Sequence, residues 1–469
     1  MLENLSPARV FRFFEELSAI PRGSGNTDAV SDYCVRFAKK RGLDCVKDQL
    51  NNVIIRKPAS KGCEGHDGVI LQGHLDMVCE KTADSGHDFT RDGLKLRVDG
   101  DLLSAEGTTL GADDGIAVAM ALAVLDDDAL AHPPIEAVFT VDEETGMYGA
   151  EGLDVKQLRF STLINLDSGE EGVLTVGCAG GAKADFTLPV KREKNTEKCF
   201  KIALSGLLGG HSGIDINKGR LNADKLLVKL LTSLGSEFKL VSLDGGFKDN
   251  VIPNACECVI ACASFDAQRA ADFVEAERLD TDAGLKIEVS EVAPADACLD
   301  AASTGRVLGL ISTMRSGVTA MSRSIEGHVQ SSMNLGVVRT EDDCVALVAS
   351  VRSSVIDDKC AMLAELKDLA ERFSADVNVH GEYPAWEYRE HSRLRDTFVA
   401  AYSDMYGKAP VIETVHAGLE CGLFNEKIAN FDAVSLGPDM WDIHTVNERL
   451  SIASTERTYK YLCEVLRRL

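Results

Sequence analysis

The sequence predicts an α/β protein: a three-layer domain with a mostly parallel central sheet, interrupted by an inserted α+β region of two ferredoxin-like units. Three observations predict it. Short apolar runs alternate with helical patterns through the first 170 residues, the rhythm of strands and helices laid on a parallel sheet. From Lys198 to about Gly381 the order becomes strand, helix, two strands, helix, strand, and then nearly the same again, starting from the helix STGRVLGLISTM. The last 80 residues return to the first rhythm.

Taken in order, GVILQGH, IEAVFTVDEE and TLINLDSG read as strands, and GIAVAMALAVL at 115–125 reads as a helix. Around Val190 the chain turns polar in LPVKREKNTEK, and a proline with a run of charge marks a crossing between domains. The expected boundary therefore lies near residue 185. The helical WEYREHSRLRDTFVAAYSDMYG, the strand-like DAVSLGP and a last helix ending in YLCEVLRRL then rejoin the first domain. Residues 1–184 and 391–469 form one domain on this reading, and 185–390 form the other.

A chain of 469 residues with 45% hydrophobic content buries a substantial core. Its formal net charge of −24 and 6% aromatic content leave no basic patch for a phosphate backbone, which excludes nucleic acid as a partner. The first twenty residues lack a basic n-region and an unbroken apolar stretch, and no later run is long enough for a membrane helix. A cytoplasmic protein is expected. The 14 cysteines then read as reduced, small buried side chains. Cys256, Cys258 and Cys262 have the spacing to share one strand face, but a thiolate metal site there is the less favoured reading.

Several strand-like runs end in a metal-type ligand: GVILQGH at His74, AVFTVDEE at Glu143 and Glu144, and LINLD at Asp167. In open α/β sheets the carboxyl ends of the strands line the ligand crevice, so these residues converge without further assumption. Asp113 in GADDG and His444 in WDIHTVNE join them. An acidic residue after a strand is by itself most often a turn former or a helix cap. Six such positions together are better read as a metal centre. Oxygen and imidazole ligands suit zinc, manganese or cobalt, and two ions need one bridging carboxylate. Asp76 follows His74 at i, i+2, on the same side of an extended segment, where its carboxylate holds the imidazole in one tautomer. Glu143 and Glu144 point in different directions, so one binds metal and the other handles the proton of a water. Spacing does not choose between them.

GHLDMV, GADDG, VDEETGMYGA, LDSGEEG, GGHSG and DIHTVNE together resemble the aminoacyl-histidine dipeptidases, also called cytosol non-specific dipeptidases or peptidase D, over nearly the whole chain. The resemblance implies two zinc ions per chain, with cobalt or manganese as substitutes, and small dipeptides, Xaa-His among them, as substrates. It implies that His74 and Asp167 hold different ions, that Asp113 bridges, and that Glu144 and His444 complete the shells. Glu143 is then the general base, and Asp76 orients His74. Many members of the wider family carry a lysine two positions after the bridging aspartate, where this chain has Gly115, so Asp114 stays open as the bridge. The simplest place for Asp114 is the helix start, where the dipole favours a carboxylate.

The resemblance also makes the inserted region a lid, with His211 stabilising the oxyanion. Its plain alternative is a loop histidine between glycines. Arg352, an unexpected charge in the strand-like VASVRSS, suits a substrate carboxylate, against the alternative of an exposed edge-strand charge. Asn250 is a weaker candidate for the same pocket, and Gly418 in HAGLECG lets a substrate come close to the backbone. His416 and Glu420, at i, i+4, form a rival metal pair. A homodimer is compatible with the chemistry but not required by it. An N-acyl amino acid deacylase and a catalytically silent peptide- or metal-binding protein are the competing readings.

Overall fold

The computed structural model describes residues 2–235 and 238–469. The chain divides into two compact bodies: Met1–Gly177, Tyr388–Thr414 and Glu420–Leu469 form the first, and Cys178–Glu387 with Val415–Leu419 form the second.

The first body is built on an eight-stranded sheet, ordered Asp44–Lys47, Val53–Lys57, Ile135–Thr140, Val69–His74, Thr162–Asn165, Asp432–Ser435, Val173–Cys178, Val411–Val415. The four strands from Ile135–Thr140 to Asp432–Ser435 are parallel to their neighbours, and antiparallel pairs flank them. Both Val69–His74 and Ile135–Thr140 are buried at every position, which is why they read as continuous apolar runs rather than alternating ones. Helix Ala112–Leu125, buried at every position, packs on Val69–His74 and on helix Ala8–Ser18. The approach is close. A Cβ at Gly73 would meet the Ala117 Cβ at 2.8 Å and Asp114 Oδ2 at 2.5 Å, so only glycine admits this packing. A separate four-stranded sheet joins the hairpin Met440–Trp441/Arg449–Ser451 to the hairpin Leu96–Asp99/Leu102–Ala105, and His444 sits at the tip of the first.

The second body holds a nine-stranded antiparallel sheet in which the strand–helix–strand–strand–helix–strand unit occurs twice. The first unit runs Lys198–Ser205, helix Ala223–Leu234, Lys239–Gly246, Cys256–Cys262, helix Ala267–Ala276, Lys286–Val292. The second takes Gly180–Pro189 as its first strand, then helix Ala301–Thr313, Val329–Thr340, Cys344–Ser353, helix Ile356–Phe373 and Asp376–Tyr383. Within each, the strands lie side by side as fourth, first, third, second. The two second strands meet where Gly245 and Gly246 pair with Val338 and Val337. One core serves both units, with Leu227, Leu230 and Ile260 from one and Leu310, Leu347 and Leu366 from the other.

The first unit is therefore inserted between the first strand and first helix of the second, which explains why the repeat seemed to restart on a helix. A boundary at 184/185 would cut the Gly180–Pro189 strand; the bodies part instead at Gly177/Cys178 and Glu387/Tyr388. The polar stretch that looked like a linker contains Arg192–Lys194, a short ladder paired with Ala297–Leu299 whose three residues are all exposed. Charge on an exposed strand reads like a loop. Cys256, Cys258 and Cys262 do share a face, turned to the core, where burial raises the pKa of each thiol and disfavours thiolate. Among the described residues no metal-type cluster includes them.

Candidate metal centre

His74 ends its strand buried, while Asp113 and Asp114 open the helix that packs on it. Glu143 and Glu144 follow Ile135–Thr140, Asp167 follows Thr162–Asn165, and His444 comes from its hairpin tip. Asp113 is central. Its Oδ1 lies 3.1 Å from His74 Nε2 and its Oδ2 lies 3.0 Å from His444 Nε2, while the same His444 nitrogen stands 3.0 Å from Glu144 Oε2. The ligand atoms of His74, Asp113 and Glu144 lie within 4.8 Å of one another, as do those of His74, Asp114 and Asp167. His74 thus belongs to both groups, with Glu144 in one and Asp167 in the other, while His444 stands beside Glu144.

Asp76 ties this arrangement together. Its carboxylate accepts the Ser24 hydroxyl at 2.7 Å and the backbone N–H groups of Glu143 at 3.1 Å and Glu144 at 3.3 Å, and lies 3.4 Å from His74 Nδ1. Burial opposes its charge, but the His74 imidazole, the Ser24 hydroxyl and the Glu143 N–H outweigh it and hold the pKa at about 2. The positive φ of Asp142 (55°), Asp442 (53°) and His444 (62°) clusters at the same site, as strained backbone does at functional centres.

The donors fit divalent cations. Both ring nitrogens of His74 face oxygens, Nδ1 the Asp76 carbonyl at 3.2 Å and Nε2 Asp113, which demands one proton too many for a neutral ring. A cation at Nε2 removes the conflict. Glu144 Oε1 and Asp114 Oδ1 are buried without a partner. Crowded carboxylates shift the protons: the Asp113 and Glu144 carboxylates raise His444 to about 10, and burial drives Asp114 and Asp167 up. Burial, with the charges of Glu420, Glu144 and Asp113 outweighing the pull of His74, pushes Glu143 to about 8. Asp114 does lie in the first turn of the helix, as expected, but fully buried, and its Oδ2 accepts the His74 N–H at 3.1 Å.

Three buried groups around the centre have partners that the sequence did not disclose. Arg22 donates to the carbonyls of Leu75 (2.9 Å), Asp76 (3.0 Å) and Gly111. It also explains Gly115, where a Cβ would lie 2.5 Å from the Arg22 guanidinium. Glu448 accepts backbone N–H groups from residues 110–113. Glu420 accepts from Gln72 Nε2 at 2.5 Å and Thr140 Oγ1 at 2.7 Å, and the chain continues from Asn165 Nδ2 to Gln72 Oε1 (2.5 Å) and from Ser435 Oγ to Asn165 Oδ1 (2.5 Å). Helix Glu420–Lys427 begins at Glu420, so His416 precedes it and shares no helix face with it; the His416 ring instead bonds Ser332 Oγ at 2.7 Å. Of these signals, only the VNE after His444 was visible in the sequence.

The other predicted residues lie in the second body. His211 pairs with Val251 in a two-residue ladder, and the Asn250 carbonyl next to it accepts the Ser212 N–H at 2.9 Å. The His211 Nδ1 accepts N–H groups from Gly213 (3.1 Å) and Ile214 (3.2 Å), which leaves its proton on Nε2. Burial, then the charge of Arg352, lowers its pKa and keeps the ring neutral. Arg352 stands on an inner strand, not an edge: its strand pairs with Val329–Thr340 and Gly180–Pro189. It donates from Nη1 to Tyr383 Oη at 2.7 Å, while its Nε is buried without a partner. Gly418 lies in the segment Val415–Leu419.

A model of peptidase family M20/M25/M40 matches residues 70–468. The chain is 36% identical to the cytosol non-specific dipeptidase of Escherichia coli (strain K12), over 100% of this chain and 99% of that one. Its structure is similar to that of aminoacylhistidine dipeptidase from Vibrio alginolyticus, with a TM-score of 0.95 and 35% identity over 100% and 98% of the two chains. Aminopeptidase PepT from Bacillus cereus is similar in fold alone, with a TM-score of 0.59 and 17% identity over 99% and 98%.

Proposed function

Because the chain belongs to peptidase family M20/M25/M40, we propose that it hydrolyses dipeptides, Xaa-His among them, with two zinc ions per chain that cobalt or manganese replaces. The observation that carries this reading is the Asp113 carboxylate facing His74 and His444 with one oxygen each, beside an unpartnered Glu144 oxygen. Asp113, with His74, Asp167, Glu144 and His444, would hold the ions. When bound, the ions polarise the scissile carbonyl and acidify the attacking water.

The remaining steps belong to the chain. Glu143 accepts the proton of the water and returns it to the leaving amine. Its high pKa suits a base that must also give the proton up, and bound cations pull that value down towards working pH. Asp76 receives Nδ1–H of His74 and so keeps the Nε2 lone pair free for metal. The neutral His211 offers Nε2–H to the carbonyl oxygen as charge develops there. Arg352, with one side of its guanidinium held by Tyr383, receives the free carboxylate and so selects short substrates. Asn250 serves the same pocket, and Gly418 admits the substrate close to the backbone. The second body acts as the lid. A homodimer is compatible with this chemistry but not required by it. We place the reaction in the cytoplasm. One relative is named for the cytosol, and no helix among the described residues is long and apolar enough to cross a membrane.

The test is amino-acid release from an Xaa-His dipeptide and from a matched N-acyl amino acid, using zinc-loaded wild type and Glu143→Ala. Cleavage of the dipeptide alone, and a loss of about 10²–10⁴-fold in a Glu143→Ala protein that keeps its metal, is the expected result. Preference for the acyl substrate makes the enzyme a deacylase. No cleavage by folded, metal-replete protein leaves a binding protein.

A further inference from the structure

Glu448 donates no ligand atom, yet its buried carboxylate is fully engaged. It is 2% exposed. Oε2 accepts the N–H of Leu110 at 2.7 Å and of Gly111 at 2.9 Å; Oε1 accepts that of Ala112 at 2.8 Å and of Asp113 at 3.3 Å. Four donors match the four lone-pair sites of a carboxylate. They are the N–H groups at the opening of helix Ala112–Leu125, which no carbonyl inside the helix can reach. The last belongs to Asp113, whose side chain faces both histidines. Glu448 itself follows His444 by four residues in the same hairpin. One side chain therefore fastens the His444 hairpin to the Asp113 turn.

Arg22 completes the fastening. Its guanidinium donates to the carbonyls of Leu75, Asp76 and Gly111, so Gly111 is held through its N–H by Glu448 and through its carbonyl by Arg22. The segments bearing His74, Asp113 and His444 come from distant parts of the sequence, and these two side chains join all three.

We propose that Glu448 is a positioning residue for the metal centre: it sets the separation of Asp113 from His74 and His444, with Arg22 as counter-charge and second anchor. The inference rests on the metal-dependent reading of this site. Its rival is a plain helix cap, in which the carboxylate stabilises the helix opening and does nothing for metal. The two differ in what they move. A cap shifts the unfolding of the metal-free protein; a positioning residue also shifts metal affinity and kcat.

The test titrates zinc calorimetrically into metal-free wild type, Glu448→Gln and Glu448→Asp, follows their metal-free unfolding, and measures kcat and KM at saturating zinc. In Glu448→Gln the new amide NH₂ faces two N–H donors. Zinc affinity is expected to fall about 10–100-fold, kcat to fall with KM changed less than about twofold, and Glu448→Asp to recover part of both losses. Wild-type zinc affinity and kcat in Glu448→Gln, whatever its unfolding midpoint, overturn the proposal in favour of the cap. If Glu448→Gln does not fold, the same titration of Glu448→Asp decides, and unchanged affinity there overturns it. Wild type that takes up no zinc refutes the metal-dependent reading itself, an outcome distinct from the others.

Discussion

Arg352 shows what a single position can and cannot disclose. An arginine amid apolar strand residues was conspicuous in the sequence, and that oddity was enough to single it out. What no spacing reveals is Tyr383, which anchors one Nη and leaves Nε unpartnered. A partly buried guanidinium with an unpartnered buried Nε is costly unless a ligand completes it. Arg352→Met is therefore expected to raise KM for a dipeptide by about one to two orders of magnitude, the worth of a charged hydrogen bond. The same change should leave the C-terminal amide of that dipeptide almost unaffected. Steady-state kinetics on the matched pair checks it; equal losses on both substrates would remove Arg352 from the carboxylate role. His74, Asp113, Glu144, Asp167 and His444 were legible for a different reason, since each closes an apolar run or sits in a short motif. Arg22 was not, and Glu420 was read only as half of a rival metal pair, because their partners lie 53 and 348 residues away.

At the scale of elements, helix Ala223–Leu234 carries a buried carboxylate whose cost can be measured. Asp224 is fully buried, and burial pushes its pKa up to about 7 against a hydrogen bond from the Cys256 thiol and the charge of Arg339. The folded chain thus holds this proton more tightly than the unfolded chain, whose aspartate titrates near 4. Stability is then lost as pH rises from about 4 through 7 and is not regained above it. Asp224→Asn carries no such charge. Its unfolding free energy, from urea titration, should gain on that of wild type by about 3 kcal/mol between pH 5 and pH 8. Parallel profiles would mean that the carboxylate is relieved by solvent or by a neighbour. The elements themselves were largely readable, because burial on both faces writes a strand as an unbroken apolar run. The start of helix Ala112–Leu125 was readable in position but not in burial. The sequence offers two aspartates and a glycine there, and only packing on Val69–His74 shows that Asp114 turns inward.

For the molecule as a whole, metal binding gives the two bodies different responses. Every proposed ligand belongs to the first body, so zinc should raise the unfolding temperature of that body and leave the transition of the second in place. At a thousandfold excess over Kd the gain is about 4 kcal/mol. Scanning calorimetry with and without a chelator reads this directly, and a second transition that moves equally would show that the bodies unfold together. The chain's return to its first domain was visible as a change of rhythm. The true junctions were not, because a charged exposed ladder looks like a linker and a strand cut at residue 185 looks complete on either side. The insertion of one repeat inside the other also governs how the protein is born. Strand Gly180–Pro189 leaves the ribosome roughly 150 residues ahead of its partner Cys344–Ser353, with Asp376–Tyr383 later still. At ordinary synthesis rates that is a wait of about ten to thirty seconds. Throughout it a strand whose Ala182, Ala184, Phe186 and Leu188 form one apolar face has neither neighbour, so translation speed and chaperone supply, more than final stability, should set the yield of folded chains in a cell.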